Sequence, residues 1–182
     1  MIICFTPGSG GNRLGLYYQN KPFDQIGGNM HTFAKIIDQY CTKESKITVQ
    51  YDINAIHLTH CMNNQLIKAL FPNQKIVKIK CDFKKSLLRE WMTVYENTDY
   101  SLTKLDLMYQ QIVWHHEYYE QNGLDYDCDE LVDIETDSTR FGEIMRRELN
   151  LSNKTFDIAW QAFKDYGNKA PIINIGKRSN GT

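Results

Sequence analysis

The first sixteen residues, MIICFTPGSGGNRLGL, constrain this chain more than any other stretch. Residues 2–5 are a short apolar run of the kind that forms a buried parallel strand. Thr6 and Pro7 end it. Gly8, Ser9, Gly10 and Gly11 make a turn, and Asn12 and Arg13 open a helix predicted over 13–20, closed near Lys21 and Pro22. Strand, glycine turn and helix together read as a phosphate cradle. Glycine lets backbone N–H groups approach an anion with no Cβ in the way. The helix start adds unpaired donors and a partial positive charge. The plainer alternative is a tight strand-to-helix turn, but three glycines in four residues exceed what such a turn needs.

The rest of the chain bounds the setting. A length of 182 residues fits one domain with a sizeable core. A hydrophobic fraction of 42% with 24% charged residues is that of a soluble globule. The net charge of −1 argues against nucleic acid as a default partner. No apolar run approaches membrane-spanning length, and the start lacks the basic region of a signal peptide. Cys4, Cys41, Cys61, Cys81 and Cys128 are dispersed without C-x-x-C spacing, which points to free thiols in a reducing, cytoplasmic setting and not to a zinc site.

Periodicity places the remaining elements. After a break at Gly27, Gly28 and Asn29, a helix is expected over 30–40. Strands are expected over 47–51 and 54–59, a short helix over 62–70, and a strand over 75–80. A helix then runs to about residue 96. A long helix over 103–121 carries Leu107, Gln111, Trp114 and Tyr118 near one stripe. A last strand over 131–135 leads to a helix capped by Asp137 and ending at Leu149, and then to a helix over 154–166. His57 and His60 are three apart on or beside a strand, so they face opposite sides and do not make a joint metal site. His115, His116 and the tyrosines around them read as packing and surface.

Four stations along the chain resemble one family, the sulfotransferases. An ATP-type loop carries G-x-x-x-x-G-K-[ST]. This loop lacks both that lysine and the following hydroxyl. Instead TPGSGGNRL is similar to the sulfotransferase loop P-[KR]-[ST]-G-[ST]-[TN]-x-L, with Pro7, Ser9, Gly10, Asn12 and Leu14 in agreement. Gly8 stands where the family has a basic residue and Gly11 where it has a hydroxyl, with Arg13 as a source of replacement charge. The second station, IHLTHC, resembles the K-T-H strand end whose histidine is the general base in the cytosolic branch. Thr59 and His60 match, and Leu58 replaces the lysine. A histidine satisfied by a core hydrogen bond is the alternative for His60. The third, CDFKKSLLREW, resembles R-[DN]-P-x-[DE]-x-x-x-S, the motif that holds the cofactor's 3′-phosphate. Asp82 agrees, while Cys81, Phe83 and Arg89 replace the arginine, proline and serine. The fourth is the run from Leu131 to Trp160, which follows the family's order of elements. Beyond it, Gly176, Lys177 and Arg178 stand as counterparts of a late loop that closes over the 3′-phosphate, a disordered end being the alternative.

The resemblance implies an α/β fold, a three-layer α/β/α arrangement with a central parallel sheet and the P-loop NTPase-like sulfotransferase topology. It also implies sulfuryl transfer from 3′-phosphoadenosine-5′-phosphosulfate (PAPS) to a hydroxyl or amine of a small-molecule or glycan acceptor. His60 is then the catalytic base. Gly8, Ser9, Gly10, Gly11, Asn12 and Arg13 hold the 5′-phosphate. Arg89, assisted by Lys84, Lys177 and Arg178, holds the 3′-phosphate, and no metal takes part. Two alternatives stay open: a catalytically degenerate nucleotide- or partner-binding module on the same fold, and a kinase, which the missing loop lysine disfavours.

Overall fold

Ile2, Ile3 and Cys4 alternate between two buried faces, and this alternation sets the architecture. The computed structural model describes residues 1–22, 54–97 and 102–169. Four strands, β1 (Ile2–Cys4), β2 (His57–Thr59), β3 (Ile76–Lys80) and β4 (Glu130–Asp133), form one sheet in the order β2-β1-β3-β4. All three pairings are parallel, with Ile3 beside Leu58 on one side and Val77 on the other. Parallel neighbours need crossover segments, and helices provide them. Between the strands lie α1 (Gly11–Tyr18), α2 (Asn64–Leu70), α3 (Phe83–Tyr95) and α4 (Leu102–Asn122), and after β4 come α5 (Arg140–Leu149) and α6 (Asn153–Lys169). The expected α/β class with a parallel sheet is therefore observed.

Both sheet faces are covered. Ile3, Leu58, Val77 and Ile79 pack with Leu14 of α1 and Phe141 and Met145 of α5. Ile2, Cys4 and Ile76 pack on the other face with Ile67 of α2 and Tyr119 of α4. A third cluster, with Leu87, Trp91, Ile112 and Phe163 among its members, joins α3, α4 and α6. Lys78 is fully buried on β3. Its ammonium donates to the carbonyl of Met62 at 3.0 Å and to that of Asp125, tying the loop after β2 to the loop before β4. A buried charge is tolerable only with such acceptors.

Three expectations need correction. The helix after β4 is capped by Thr139, whose hydroxyl accepts from the Gly142 N–H at 3.3 Å, and not by Asp137. Asp137 instead accepts from the N–H and the hydroxyl of Thr139, at 2.9 and 2.8 Å, because a carboxylate readily closes a turn two residues on. The last strand is Glu130–Asp133, ending before Glu135. The Asp133 carbonyl accepts from both Thr136 and Asp137 and turns the chain there. On α4 the inner stripe is Ile112, His115 and Tyr119, while Leu107 and Trp114 are 61% and 43% exposed. The predicted stripe lay one position away from the face that α3 and the sheet cover. The helix expected over 30–40 and the strand over 47–51 lie outside the described residues.

Candidate functional site

The β1–α1 loop and the end of β2 lie side by side because β1 and β2 are neighbours in a parallel sheet. Binding sites of such sheets form at the carboxyl ends of the strands. A cavity of about 310 Å³ opens there, walled by Phe5, Gly8, Gly10–Arg13, His60, Arg89, Glu90, Met145, Glu148 and Leu149. A second cavity of about 290 Å³ lies across Arg89 and Leu149, with Cys81, Asp82, Lys85, Glu135 and Arg146 among its walls.

The loop is built from its own backbone. The Thr6 carbonyl accepts from the Ser9 N–H at 3.1 Å and from the Ser9 hydroxyl at 2.7 Å. Ser9 is fully buried, so that hydroxyl proton serves the turn. Gly8 and Gly10 have φ of +76° and +87°, a region that glycine enters without strain. Gly8 has a second constraint: a Cβ there would stand 1.9 Å from the Ser86 carbonyl oxygen. The close approach of α3 is thus the physical reason this chain has no basic side chain at position 8. A Cβ at Gly10 would meet the terminal methyl of Met145 at 2.0 Å. Gly10 is also the N-cap of α1, and no side chain caps that helix.

His60 stands just beyond β2. Its Nδ1 is 3.0 Å from the Phe5 carbonyl oxygen. A carbonyl only accepts, so Nδ1 carries the proton and Nε2 is the ring's basic nitrogen. The Phe5 ring meets the imidazole edge-on, at 4.6 Å between centroids. The His115 ring lies 6.0 Å from it, centroid to centroid, and burial, with the charge of His60 second, lowers the His115 pKa to about 3. His115 is therefore neutral at physiological pH. Leu58, where the family has a lysine, is fully buried in the apolar core on β2 and does not reach the cavity.

The cations divide. Arg13 pairs with Glu148 at 2.9 Å on the rim of the loop cavity. Arg89 donates one nitrogen to the Gly8 carbonyl and another to the Leu149 carbonyl at 2.6 Å, so its guanidinium stands between the two cavities. Burial lowers its pKa, opposed by nearby Cys81, Asp82 and Glu90. This is neither a surface ion pair nor an i,i+4 pair. Lys84 sits 3.8 Å over the Trp160 ring and does not line either cavity, whereas its neighbour Lys85 lines the second. Cys81, in the family's arginine position, is a half-buried thiol 3.7 Å from the Thr6 hydroxyl, and desolvation raises its pKa. Lys177 and Arg178 lie outside the described residues.

Comparison with family models, curated proteins and solved structures finds no match. The site therefore stands on its own geometry. Lys85 stood in the sequence beside Lys84 and Arg89 as a source of displaced charge, with a solvated helix start as its alternative, whereas Arg146, Glu148 and Met145 were missed. Arg146 donates to the Ile134 and Asp137 carbonyls at 2.7 and 2.6 Å, and its signal in the sequence was only a basic residue in the last turn of a helix. Glu148 and Met145 reach the loop from α5, more than 130 residues along the chain, and no local pattern encodes that contact. Among the described residues no helix is long and apolar enough to cross a membrane.

Proposed function

We propose that this chain is a sulfotransferase-like protein of P-loop topology that binds PAPS and transfers its sulfuryl group to an acceptor hydroxyl or amine. The observation that carries the reading is the shared cavity: the uncapped start of α1, the basic nitrogen-bearing ring of His60 and the guanidinium of Arg89 all border it. In the reaction, His60 Nε2 takes the acceptor proton as the acceptor oxygen or nitrogen bonds to sulfur. The bond from sulfur to the 5′-phosphate oxygen breaks, and 3′-phosphoadenosine-5′-phosphate (PAP) leaves. Backbone N–H groups at the start of α1 stabilise the charge that gathers on that phosphate. Arg89 adds a cation beside Gly8, where the loop itself has none. Lys85 and Arg146 make the neighbouring cavity the place for the 3′-phosphate.

A second reading is a nucleotide- or partner-binding module without transfer. It is favoured by the internal use of the cations: Arg13 pairs with Glu148, and Arg89 holds two carbonyls. Isothermal titration with PAP and with ATP tests the nucleotide site. Preference for PAP is expected, and preference for ATP overturns the transferase reading and favours the kinase alternative. Conversion of PAPS to PAP in the presence of mixed acceptors then separates transfer from binding. If His60 is the base, His60→Ala lowers that turnover roughly a hundredfold at similar PAP affinity.

A further inference from the structure

We propose that Tyr119 and His115, one turn apart on α4, are positioning residues that hold His60 in the orientation its base role requires. The inference rests on the reading of His60 as the base. The two side chains grip that residue at different points. The Tyr119 hydroxyl donates to the His60 backbone carbonyl at 2.8 Å. The His115 ring stands against the His60 imidazole at 6.0 Å, with the planes 77° apart. These two rings stack on each other, 5.9 Å between centroids and 10° between planes, so they act as one rigid wall. Both are buried, His115 at 5% and Tyr119 at 6% exposure. Spacing of four on a helix places them on one face, and the inner stripe of α4 aims that face at the sheet.

His60 needs such support. It sits in a bend just after a three-residue strand, where the strand ladder no longer fixes the backbone. The Phe5 carbonyl fixes the protonated nitrogen only while the ring stays in place. A catalytic group is effective when its neighbours lock its rotamer and direction. Tyr119 fixes the backbone of His60, and the rings of His115 and Phe5 both stand edge-on to its imidazole. His115 is neutral, so it supplies this wall without placing a second charge beside a protonated His60.

The ¹⁵N shifts of the His60 imidazole read this directly. In the full chain, well-separated shifts of an Nδ1–H tautomer are expected. Tyr119→Phe and His115→Ala move the two shifts towards each other as the ring samples other orientations. His115→Phe, which keeps a ring in the wall, restores the wild-type separation. Unchanged His60 shifts in both Tyr119→Phe and His115→Ala overturn the proposal. Should His115→Ala fail to fold, Tyr119→Phe, which removes a single oxygen, decides alone. PAP titration of the same samples keeps the two ideas apart. A wild type that ignores PAP removes the transferase reading, while the nitrogen shifts still decide the clamp.

Discussion

Two strand-to-helix junctions lie side by side at the carboxyl edge of this sheet, and they are built in opposite ways. At β1–α1 the chain turns through two left-handed glycines, and helix α1 begins on Gly10 with no side-chain cap. At β3–α3 there is no glycine. Asp82 caps the helix, its carboxylate accepting from the Lys85 N–H at 2.7 Å. The capped start already has an anion of its own, and a phosphate approaching it meets that carboxylate. The start of α1 has no side chain accepting from its first N–H groups, and the nearby Glu148 carboxylate is paired with Arg13. The lesson is that adjacent junctions of one sheet divide the labour. One offers backbone N–H groups, and the other offers side-chain cations, Lys85 and Arg89, on the turns above its cap.

The largest effect that would sharpen this contrast is at Gly8. Gly8→Ala sets a Cβ against the rigid Ser86 carbonyl in a left-handed conformation. A loss of about 3 kcal/mol or more in denaturant unfolding is expected, in the range of strained and overpacked sites. Gly10→Ala meets only the flexible end of Met145, so it should cost less, and Met145→Ala beside it should recover part of the loss. Equal costs at Gly8 and Gly10 would break the distinction between a glycine set by packing and one that leaves room at the helix start.

A smaller effect is expected at the capped junction. Asp82→Ala should lower stability by about 1 kcal/mol, the ordinary value of an N-cap. It should also strengthen PAP binding, because it removes a carboxylate from the wall of the Lys85 cavity. Weaker PAP binding in a folded Asp82→Ala protein would show that the cap organises the site instead of opposing an anion. Smaller still is Glu148→Gln. It releases Arg13 from its exposed ion pair, and PAP affinity should rise about threefold, in line with the modest energy of such pairs. No change on isothermal titration would mean that Arg13 does not face the ligand.

Much of the fold was legible because its signals are local. Apolar runs of three to five residues marked β1 and β3, and the glycine cluster marked the turn into α1. The helices α3 and α6 followed their apolar spacing. The cap at Thr139 and the inner face of α4 were misread because each depends on what packs nearby, and periodicity alone does not fix a helix's rotation. The site divided the same way. The loop and His60 were read from short motifs, and the sheet brings them together. Arg89 was singled out by sequence, but its grip on the Gly8 and Leu149 carbonyls depends on α3, α5 and the loop meeting in space. Leu58 and Gly8 look like defects beside the family pattern. In the fold they are residues of the core and of a close helix contact.

The central claim is that the uncapped start of α1 is the anion site. Backbone amide shifts of the ¹⁵N-labelled chain during a PAP titration test it most directly. The account predicts the largest shifts at the N–H groups of Gly11, Asn12 and Arg13, with smaller ones at Phe83, Lys84 and Lys85. Shifts confined to the α3 start, or none at the α1 start on saturation with PAP, would contradict it.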